Sequence, residues 1–174
     1  MRQSLAVLGL ALLASSAAAG VSIGDKLEPF ALKDAATGKD VDVKSAAGSK
    51  ATVLMFVSTQ CPVSNDYNER MAALAKDYSA KGVGFVGLNS NRQEAAAEVA
   101  DHAKKHGFSF PVLKDTGNVQ ADYFGARVTP EIFVYDAEWK LRYHGRIDDD
   151  QKGSDITKKD LAAARRTGIT SARA

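Results

Sequence analysis

The chain has 174 residues, of which 45% are hydrophobic and 25% are charged, and its formal net charge is +2 at pH 7. Positive and negative residues are interspersed along it, so the composition indicates neither a nucleic acid nor an anionic surface as a partner. This length suits one domain with a core large enough to need no disulfide or structural metal. The single cysteine, Cys61, excludes a disulfide within the chain.

The first 19 residues are predicted to be a secretory signal. Arg2 gives a positive start, residues 5–14 are apolar, and residues 17–19 form a small-residue cleavage site. The apolar stretch is about half of what a membrane span needs, so we expect no stable membrane insertion after signal removal, with a retained anchor as the alternative. We expect an exported protein, periplasmic if its source is Gram-negative and secreted otherwise. Residues 20–174 then form one domain, frayed after about residue 167.

The predicted elements after the signal begin with a short β-hairpin. Residues 24–34, with turn residues at 36–39, predict an irregular lead-in followed by this hairpin. Residues 51–57 are a nearly unbroken apolar run, which is typical of a central strand buried on both faces of a parallel sheet. Residues 83–89 predict a second buried strand.

A helix is predicted after each of these two strands. Apolar residues recur at helical spacing from Cys61 until Gly82 ends the first helix, and a second helix covers residues 93–106. Because parallel strands need such crossovers, the order predicts an α/β sheet with right-handed connections. The remaining predicted elements are an apolar segment at 110–113, a short helix at 118–124, two strands at 131–136 and 140–146 that form an antiparallel hairpin around 137–139, and a closing helix at 157–166.

Cys61 lies where the first buried strand ends and a helix begins. Pro62 suits the first helical position, where its missing N–H is not needed. The unpaired N–H groups of a helix start stabilise a thiolate, and helix starts after central strands lie at the sheet edge where α/β proteins bind ligands. A redox-active thiol is therefore the prediction, and a buried inert cysteine is the alternative.

Two serines flank this cysteine at a spacing of three residues. The hydroxyl of Ser64 could donate a hydrogen bond to a thiolate, although stabilising the helix start is an equal alternative. Ser58 could bind an oxygen substrate at the sulfur. Further along the chain, Pro130 directly precedes a predicted strand, and its spacing alone favours an edge-strand or turn proline over a cis one.

Together these segments resemble a known family. Cys61-Pro-Val-Ser64 after an apolar strand, residues 83–89, and Thr129-Pro130 before residues 132–136 are similar to the redoxins of the thioredoxin superfamily. More specifically, the chain is similar to exported members of the peroxiredoxin-like branch, the alkyl hydroperoxide reductase and thiol-specific antioxidant group, over about residues 21–161.

The resemblance implies a thioredoxin-like α/β fold, in which helices flank a central mixed β-sheet and an extra β-hairpin precedes it. It also implies that Cys61 is the redox-active residue and that Pro130 is a cis-proline facing it. In this family the residue before the cis-proline, here Thr129, offers its backbone to an extended substrate peptide.

Three departures from the family patterns limit the reactions that Cys61 is expected to carry out. Ser64 replaces the second thiol of Cys-x-x-Cys, so an oxidised Cys61 needs an outside thiol or a second subunit. Ser58 matches the peroxiredoxin pattern Pro-x-x-x-Thr/Ser-x-x-Cys, but Leu54 stands where proline belongs. The peroxiredoxin arginine has no matching position; Arg127 and Arg146 are the candidates to replace it, with a solvated surface arginine as the alternative.

The sequence thus predicts a thiol-dependent antioxidant oxidoreductase that uses Cys61 to reduce peroxides or to exchange with disulfides and is recycled by an external thiol. A thioredoxin-like module that binds extended polypeptide or a partner protein without catalysis is the alternative. No cofactor and no metal are expected: His102 and His106 lack a third ligand, and residues 148–150 lack the rest of a calcium loop. The oligomeric state stays open.

Overall fold

A computed structural model describes residues 20–153, and within them seven strands form one mixed sheet in the order β2-β1-β5-β4-β3-β6-β7. The strands are β1 (Ala31–Asp34), β2 (Asp40–Asp42), β3 (Ala51–Phe56), β4 (Val83–Asn89), β5 (Val112–Lys114), β6 (Glu131–Asp136) and β7 (Leu141–Gly145). The helices are α1 (Pro62–Asp66), α2 (Asn68–Ser79), α3 (Ala96–Lys105) and α4 (Val119–Phe124), with a 3₁₀ turn at Val43–Ala46. The predicted signal, the closing helix at 157–166 and the tail lie outside the described residues.

Strand β3 lies inside the sheet, between the middle strand β4 and strand β6. It pairs in parallel with β4 and antiparallel with β6, and all six of its residues are buried. Because side chains alternate along a strand, Val53 and Met55 enter the core on one face while Leu54 and Phe56 enter the core on the other. The unbroken apolar run therefore reflects burial on both faces, as predicted.

Each face of the sheet is covered by different helices. Helices α2 and α3 supply Met71, Ala75 and Val99 to one core, and α4 supplies Phe124 to the other. Fully burying a large apolar side chain contributes roughly 1.5–3 kcal/mol, so these two cores dominate the stability of the sheet. The helices cover the two faces of the sheet, and the carboxyl ends of β3 and β4 lie together at one open end of it.

The predicted N-terminal hairpin is present as β1 and β2, which pair in antiparallel register. Strand β1 also pairs antiparallel with β5 and so extends the sheet at that side. The later hairpin is formed by β6 and β7.

Two helical predictions differ from the structure. A single helix is predicted between Cys61 and Gly82, whereas the chain breaks it at Tyr67, whose N–H bonds to the Ser64 carbonyl oxygen in a tighter turn. The helix predicted from residue 93 begins only at Ala96, because the Glu94 side chain turns inward and is buried. Within residues 20–153, no helix is long and apolar enough to cross a membrane.

Candidate active site

Cys61 lies between β3 and α1 and is partly exposed. It has an extended backbone and occupies the position before the helix, with Pro62 as the first helical residue. Its carbonyl oxygen accepts the Asn65 N–H at 3.0 Å, which begins the helix. Since β3 ends at the open edge of the sheet, the thiol is held at that edge.

The thiol faces the loop that precedes β6. Cys61 Sγ lies 3.6 Å from the Thr129 carbonyl oxygen, to which the thiol donates. The Thr129–Pro130 peptide bond is cis, which is the form that the resemblance implies. Phe56 and Glu131 are paired residues of β3 and β6, so the sheet register brings Thr129 beside Cys61 across 68 residues of sequence.

A cleft of about 330 Å³ opens beside the thiol. Cys61 and Thr129 form part of its wall, and Phe56 and Leu88 are among its apolar lining. Its polar lining includes Ser58, Ser90, Asn91, Asn118 and Arg127. The cleft therefore gives a small molecule or an extended segment access to the sulfur.

The Ser58 hydroxyl supports Cys61 by binding the backbone N–H of the cysteine. The Ser58 hydroxyl donates to Glu94 Oε1 at 2.5 Å, and its oxygen accepts the Cys61 N–H at 3.2 Å. Because its one proton is directed at a carboxylate, this hydroxyl is not a donor to a molecule bound at the sulfur. Ser58 is therefore placed in the site, but as an acceptor.

Ser64 is fully buried beneath the same loop. Its Oγ accepts the Ser58 N–H at 3.2 Å and so ties the first turn of α1 to the end of β3. No hydrogen bond between its hydroxyl and the Cys61 sulfur is present in the part of the chain that the structure describes. The helix-start role that the sequence left open is the one that these contacts favour.

Glu94 is a site residue that the sequence reasoning missed. It is 1% exposed, and its carboxylate accepts five hydrogen bonds from described residues. The donors are the Ser58 hydroxyl at 2.5 Å, the Thr59 and Gln60 N–H groups at 2.9 and 3.0 Å, and the side-chain amides of Asn89 and Asn91 at 2.5 and 2.8 Å. The available signal was the row of polar residues that follows a buried strand, Asn89-Ser-Asn-Arg-Gln-Glu94.

These contacts determine the ionisation of Glu94. Burial alone would raise the pKa of its carboxyl, but hydrogen bonds from Ser58, from the loop backbone and from Asn89 outweigh burial and hold that pKa at about 2. Lys114 approaches from the other side, where its ammonium donates to Asn89 Oδ1 at 2.6 Å. Burial lowers the pKa of Lys114, and the negative charge of Glu94 opposes that shift.

Glu131 holds the loop on the opposite side of the thiol. Its Oε2 accepts the N–H groups of Arg127 and Val128 at 2.8 and 3.2 Å, and its Oε1 lies 2.5 Å from His144 Nε2 on β7. Arg127 is thus fixed through its backbone at the rim of the cleft. Arg146, the other candidate arginine, follows β7 and is not among the residues that line the cleft.

The metal patterns set aside in the sequence have other contacts. Among residues 20–153, no group of three or more His, Cys, Asp or Glu side chains could hold a metal ion. The rings of His102 and His106 are tilted by 44° with their centroids 4.4 Å apart, and His102 Nε2 lies 3.4 Å from Asn68 Oδ1. Asp148 forms an ion pair with Arg70 at 2.7 Å.

Comparison with known proteins gives a consistent assignment. A family model described as the AhpC/TSA family matches residues 23–144. The thiol-disulfide oxidoreductase ResA of Halalkalibacterium halodurans is 29% identical over 124 residues, which cover 71% of this chain and 65% of that protein. The chain therefore spans less than two thirds of that relative's length.

Two solved structures are similar over most of their length. A hypothetical protein from Sinorhizobium meliloti is 34% identical, with a TM-score of 0.78 over 86% of this chain and 85% of that one. An uncharacterized conserved protein from Geobacillus kaustophilus is 30% identical, with a TM-score of 0.75 over 80% of this chain and 77% of that one.

Proposed function

This chain belongs to the AhpC/TSA family of redoxins in the thioredoxin superfamily, and we propose that it is a thiol-disulfide oxidoreductase whose nucleophile is Cys61. Its thioredoxin-like fold agrees with the resemblance seen in the sequence. The observation that supports the proposal best is the free Cys61 thiol at the wall of an open cleft, 3.6 Å from the Thr129 carbonyl oxygen. The related ResA protein is named for the same reaction class.

The reaction proceeds in two exchange steps. The Cys61 thiolate attacks one sulfur of a substrate disulfide, forms a mixed disulfide with it, and releases the other sulfur as a thiolate. The thiolate of an external thiol then attacks the substrate sulfur of the mixed disulfide. This second step forms a disulfide between the external thiol and the substrate and returns Cys61 to its thiolate form.

The surroundings of Cys61 suit both protonation states. The thiol donates to the Thr129 carbonyl oxygen, whereas a thiolate has no proton to donate. The N–H groups of Val63 and Ser64, in the first turn of α1, lack intrahelical partners and stabilise negative charge there. The Thr129 backbone, which the resemblance assigns to an extended substrate, therefore lies within hydrogen-bonding distance of the sulfur.

Disulfide exchange fits the site better than peroxide reduction. A peroxide needs donors that polarise its oxygen–oxygen bond, but the Ser58 hydroxyl donates to Glu94. Leu54, which replaces the proline of the peroxiredoxin pattern, is buried in the core. Arg127 is the cationic side chain of the cleft, and it is exposed at the rim.

Export is part of the proposal. The predicted signal at residues 1–19 supports it, and an exported protein encounters substrate disulfides that the cytosol keeps reduced. Exchange between Cys61 and such disulfides needs no cofactor.

Product stoichiometry and turnover test the function. The purified chain is mixed with dithiodipyridine, an uncharged disulfide, first alone and then with excess glutathione as the external thiol. Alone, it should release one equivalent of thiopyridone and gain one pyridylthio group on Cys61; with glutathione, repeated turnover should exceed the uncatalysed exchange. Ser109→Ala, an exposed matched control, should behave like the unchanged chain, and Cys61→Ser should do neither.

Two outcomes would overturn this proposal. Turnover that persists in Cys61→Ser would place the chemistry elsewhere, and binding of extended peptide without any mixed disulfide would favour the non-catalytic module. Hydrogen peroxide provides a further comparison. Oxidation of Cys61 by peroxide much faster than that of free cysteine would favour peroxide reduction instead.

A further inference from the structure

We propose that Glu94 is a positioning residue for Cys61, because its buried carboxylate holds the backbone of residues 58–60 that leads into the cysteine. This inference rests on the proposed function, since it concerns the reactivity of the same thiol. Glu94 does not itself contact the sulfur.

The contacts of Glu94 are directed at the segment before Cys61. Three of its five described donors, the Ser58 hydroxyl and the N–H groups of Thr59 and Gln60, belong to residues 58–60. These N–H groups lie beyond the end of β3 and before α1, where no regular element supplies a partner. One side chain therefore replaces the backbone partners that this segment lacks.

Ser58 links Glu94 to the cysteine backbone. The carboxylate fixes the direction of the Ser58 proton, so a lone pair of the same oxygen faces the Cys61 N–H at 3.2 Å. Charge-assisted bonds of this kind are the strong ones, and a chain of hydrogen bonds strengthens its members. The link sets the position of the Cys61 backbone relative to Thr129.

The other contacts of Glu94 anchor it to the rigid sheet. Asn89, the last residue of β4, donates to Glu94 and also to the Val57 carbonyl oxygen at 3.1 Å. Lys114, the last residue of β5, donates to Asn89 at 2.6 Å and to the Asn91 carbonyl oxygen at 2.5 Å. The loop before Cys61 is thus tied through Glu94 to the ends of two central strands.

An ionised carboxylate is the one side chain that satisfies this arrangement. All five groups that face Glu94 are donors, and a carboxylate offers acceptors only. A glutamine presents one amide group to these donors, so it leaves part of the buried network unsatisfied.

Matched variants test the inference. Glu98, in the first turn of α3, accepts from the same loop through the Thr59 hydroxyl and the Gln60 side-chain amide at 3.0 and 3.2 Å. Glu98→Gln therefore removes the same charge without touching the buried network. The readouts are the rate constant of Cys61 with dithiodipyridine in the folded chain, its pH profile, and hydrogen exchange of the Thr59 and Gln60 amides.

Glu94→Gln should react about tenfold more slowly at pH 7, the equivalent of losing one charge-assisted hydrogen bond. Both loop amides should exchange faster, and Glu98→Gln should stay within about twofold of the unchanged chain because its contacts are exposed. Ser58→Ala should match Glu94→Gln in reaction rate, but its Thr59 and Gln60 amides should stay protected because they bond directly to Glu94. The double variant should lose less than the product of the two effects, since both act through one link.

A Glu94→Gln chain that folds and keeps the reaction rate, pH profile and amide exchange of Glu98→Gln would overturn the inference. If Glu94→Gln does not fold, Ser58→Ala decides it by the reaction rate and the pH profile, because it breaks the link between Glu94 and the Cys61 N–H. If Cys61 of the unchanged chain reacts no faster in the folded than in the unfolded state, the result counts against the proposed function. Exchange of the Thr59 and Gln60 amides would still show whether Glu94 holds the loop.

Discussion

The hydroxyl groups next to Cys61 act as acceptors within the loop. Ser58 accepts the Cys61 N–H, and Ser64 accepts the Ser58 N–H. Together they hold the backbone that leads into the thiol against the first turn of α1 that follows it. Ser64 also occupies the position where Cys-x-x-Cys has its second thiol, so the proposed reaction cycle needs an outside thiol.

Introducing that second thiol should make the site self-resolving. In Ser64→Cys, the new thiol should attack the mixed disulfide formed by dithiodipyridine, close a bond to Cys61 and release the second thiopyridone. Intact mass should show two thiopyridones released and no pyridylthio group retained.

Ser109→Cys is the matched control, because residue 109 is exposed and lies outside the site. It should also release two thiopyridones, but it should retain one pyridylthio group on each cysteine. If Ser64→Cys retains both groups as well, the position of residue 64 does not allow resolution.

The residue proposed as the nucleophile could be singled out from the sequence, but the side chain that supports its backbone could not. Cys61 and Pro62 stand out because a strand pattern stops and a helical pattern starts beside them, and Thr129-Pro130 stands out through the resemblance. Glu94 looks like an ordinary acidic residue of a first helical turn. Its burial depends on donors that lie 34 to 36 residues earlier, which no local pattern shows.

At the scale of elements, the break between α1 and α2 shows how packing interrupts a helical pattern. Tyr67 is buried, and the Arg70 guanidinium lies over its ring at 3.8 Å. Arg70 donates to both Asp148 oxygens at 2.8 and 2.7 Å, and also to the carbonyl oxygens of Asp150 and Gln151. The segment after β7 is thereby attached to the helix pair that follows Cys61.

Removing this ion pair should destabilise the fold. Asp148→Asn should lower the free energy of unfolding by about 3 kcal/mol, because it leaves a largely buried guanidinium without its charged partner. Asp40→Asn is the control, since the Lys33–Asp40 pair is 66% and 70% exposed and should contribute less than about 1 kcal/mol. Urea unfolding measures both, and equal losses would show that the Arg70 pair is no stronger than a surface contact.

Strands were easier to predict than helix ends. Strands β4 and β6 have the predicted bounds because apolar runs of that length fit a sheet buried on both faces. The break at Tyr67 and the start of α3 at Ala96 depend instead on tertiary contacts, those of Arg70 with the segment after β7 and those of Glu94 with residues 58–60. The helical spacing of apolar residues in the sequence gives no information about those contacts.

At the scale of the whole molecule, one sheet separates two cores, and the candidate site lies where its strand β3 ends. Phe124 is the centre of the core on the α4 side, where its ring meets those of Phe56, Phe133 and Tyr135 at centroid distances of 5.5, 5.0 and 6.4 Å. This packing holds α4 beside the cleft. The family resemblance predicted this architecture, whereas the order of the predicted elements alone gave only an α/β sheet.

The free energy of unfolding should depend on pH through the protonation of Glu94. Its pKa is lowered from 4.5 to about 2 in the folded chain, so the unfolded chain binds the proton more readily. The stabilisation is complete above pH 4.5 and is lost as the pH falls towards about 2. Between pH 6 and pH 3 this loss amounts to about 2 kcal/mol.

Urea unfolding at these two pH values measures the effect. From pH 6 to pH 3, the free energy of unfolding should decrease by about 2 kcal/mol less in Glu94→Gln than in the unchanged chain, because the variant lacks the carboxyl that takes up the proton. Glu98→Gln should keep the full decrease. An unaltered pH dependence in Glu94→Gln would mean that its carboxylate is not held in the buried network.

The central claim, that this fold makes Cys61 a reactive thiol, is tested most directly by comparing the folded and the unfolded chain. Stopped-flow mixing with dithiodipyridine at pH 7 gives the rate constant for Cys61 in buffer and in urea. The account predicts that the folded chain reacts faster by about tenfold or more, because the helix start stabilises the thiolate and the cleft exposes it. A folded chain that reacts no faster than the unfolded one would contradict it.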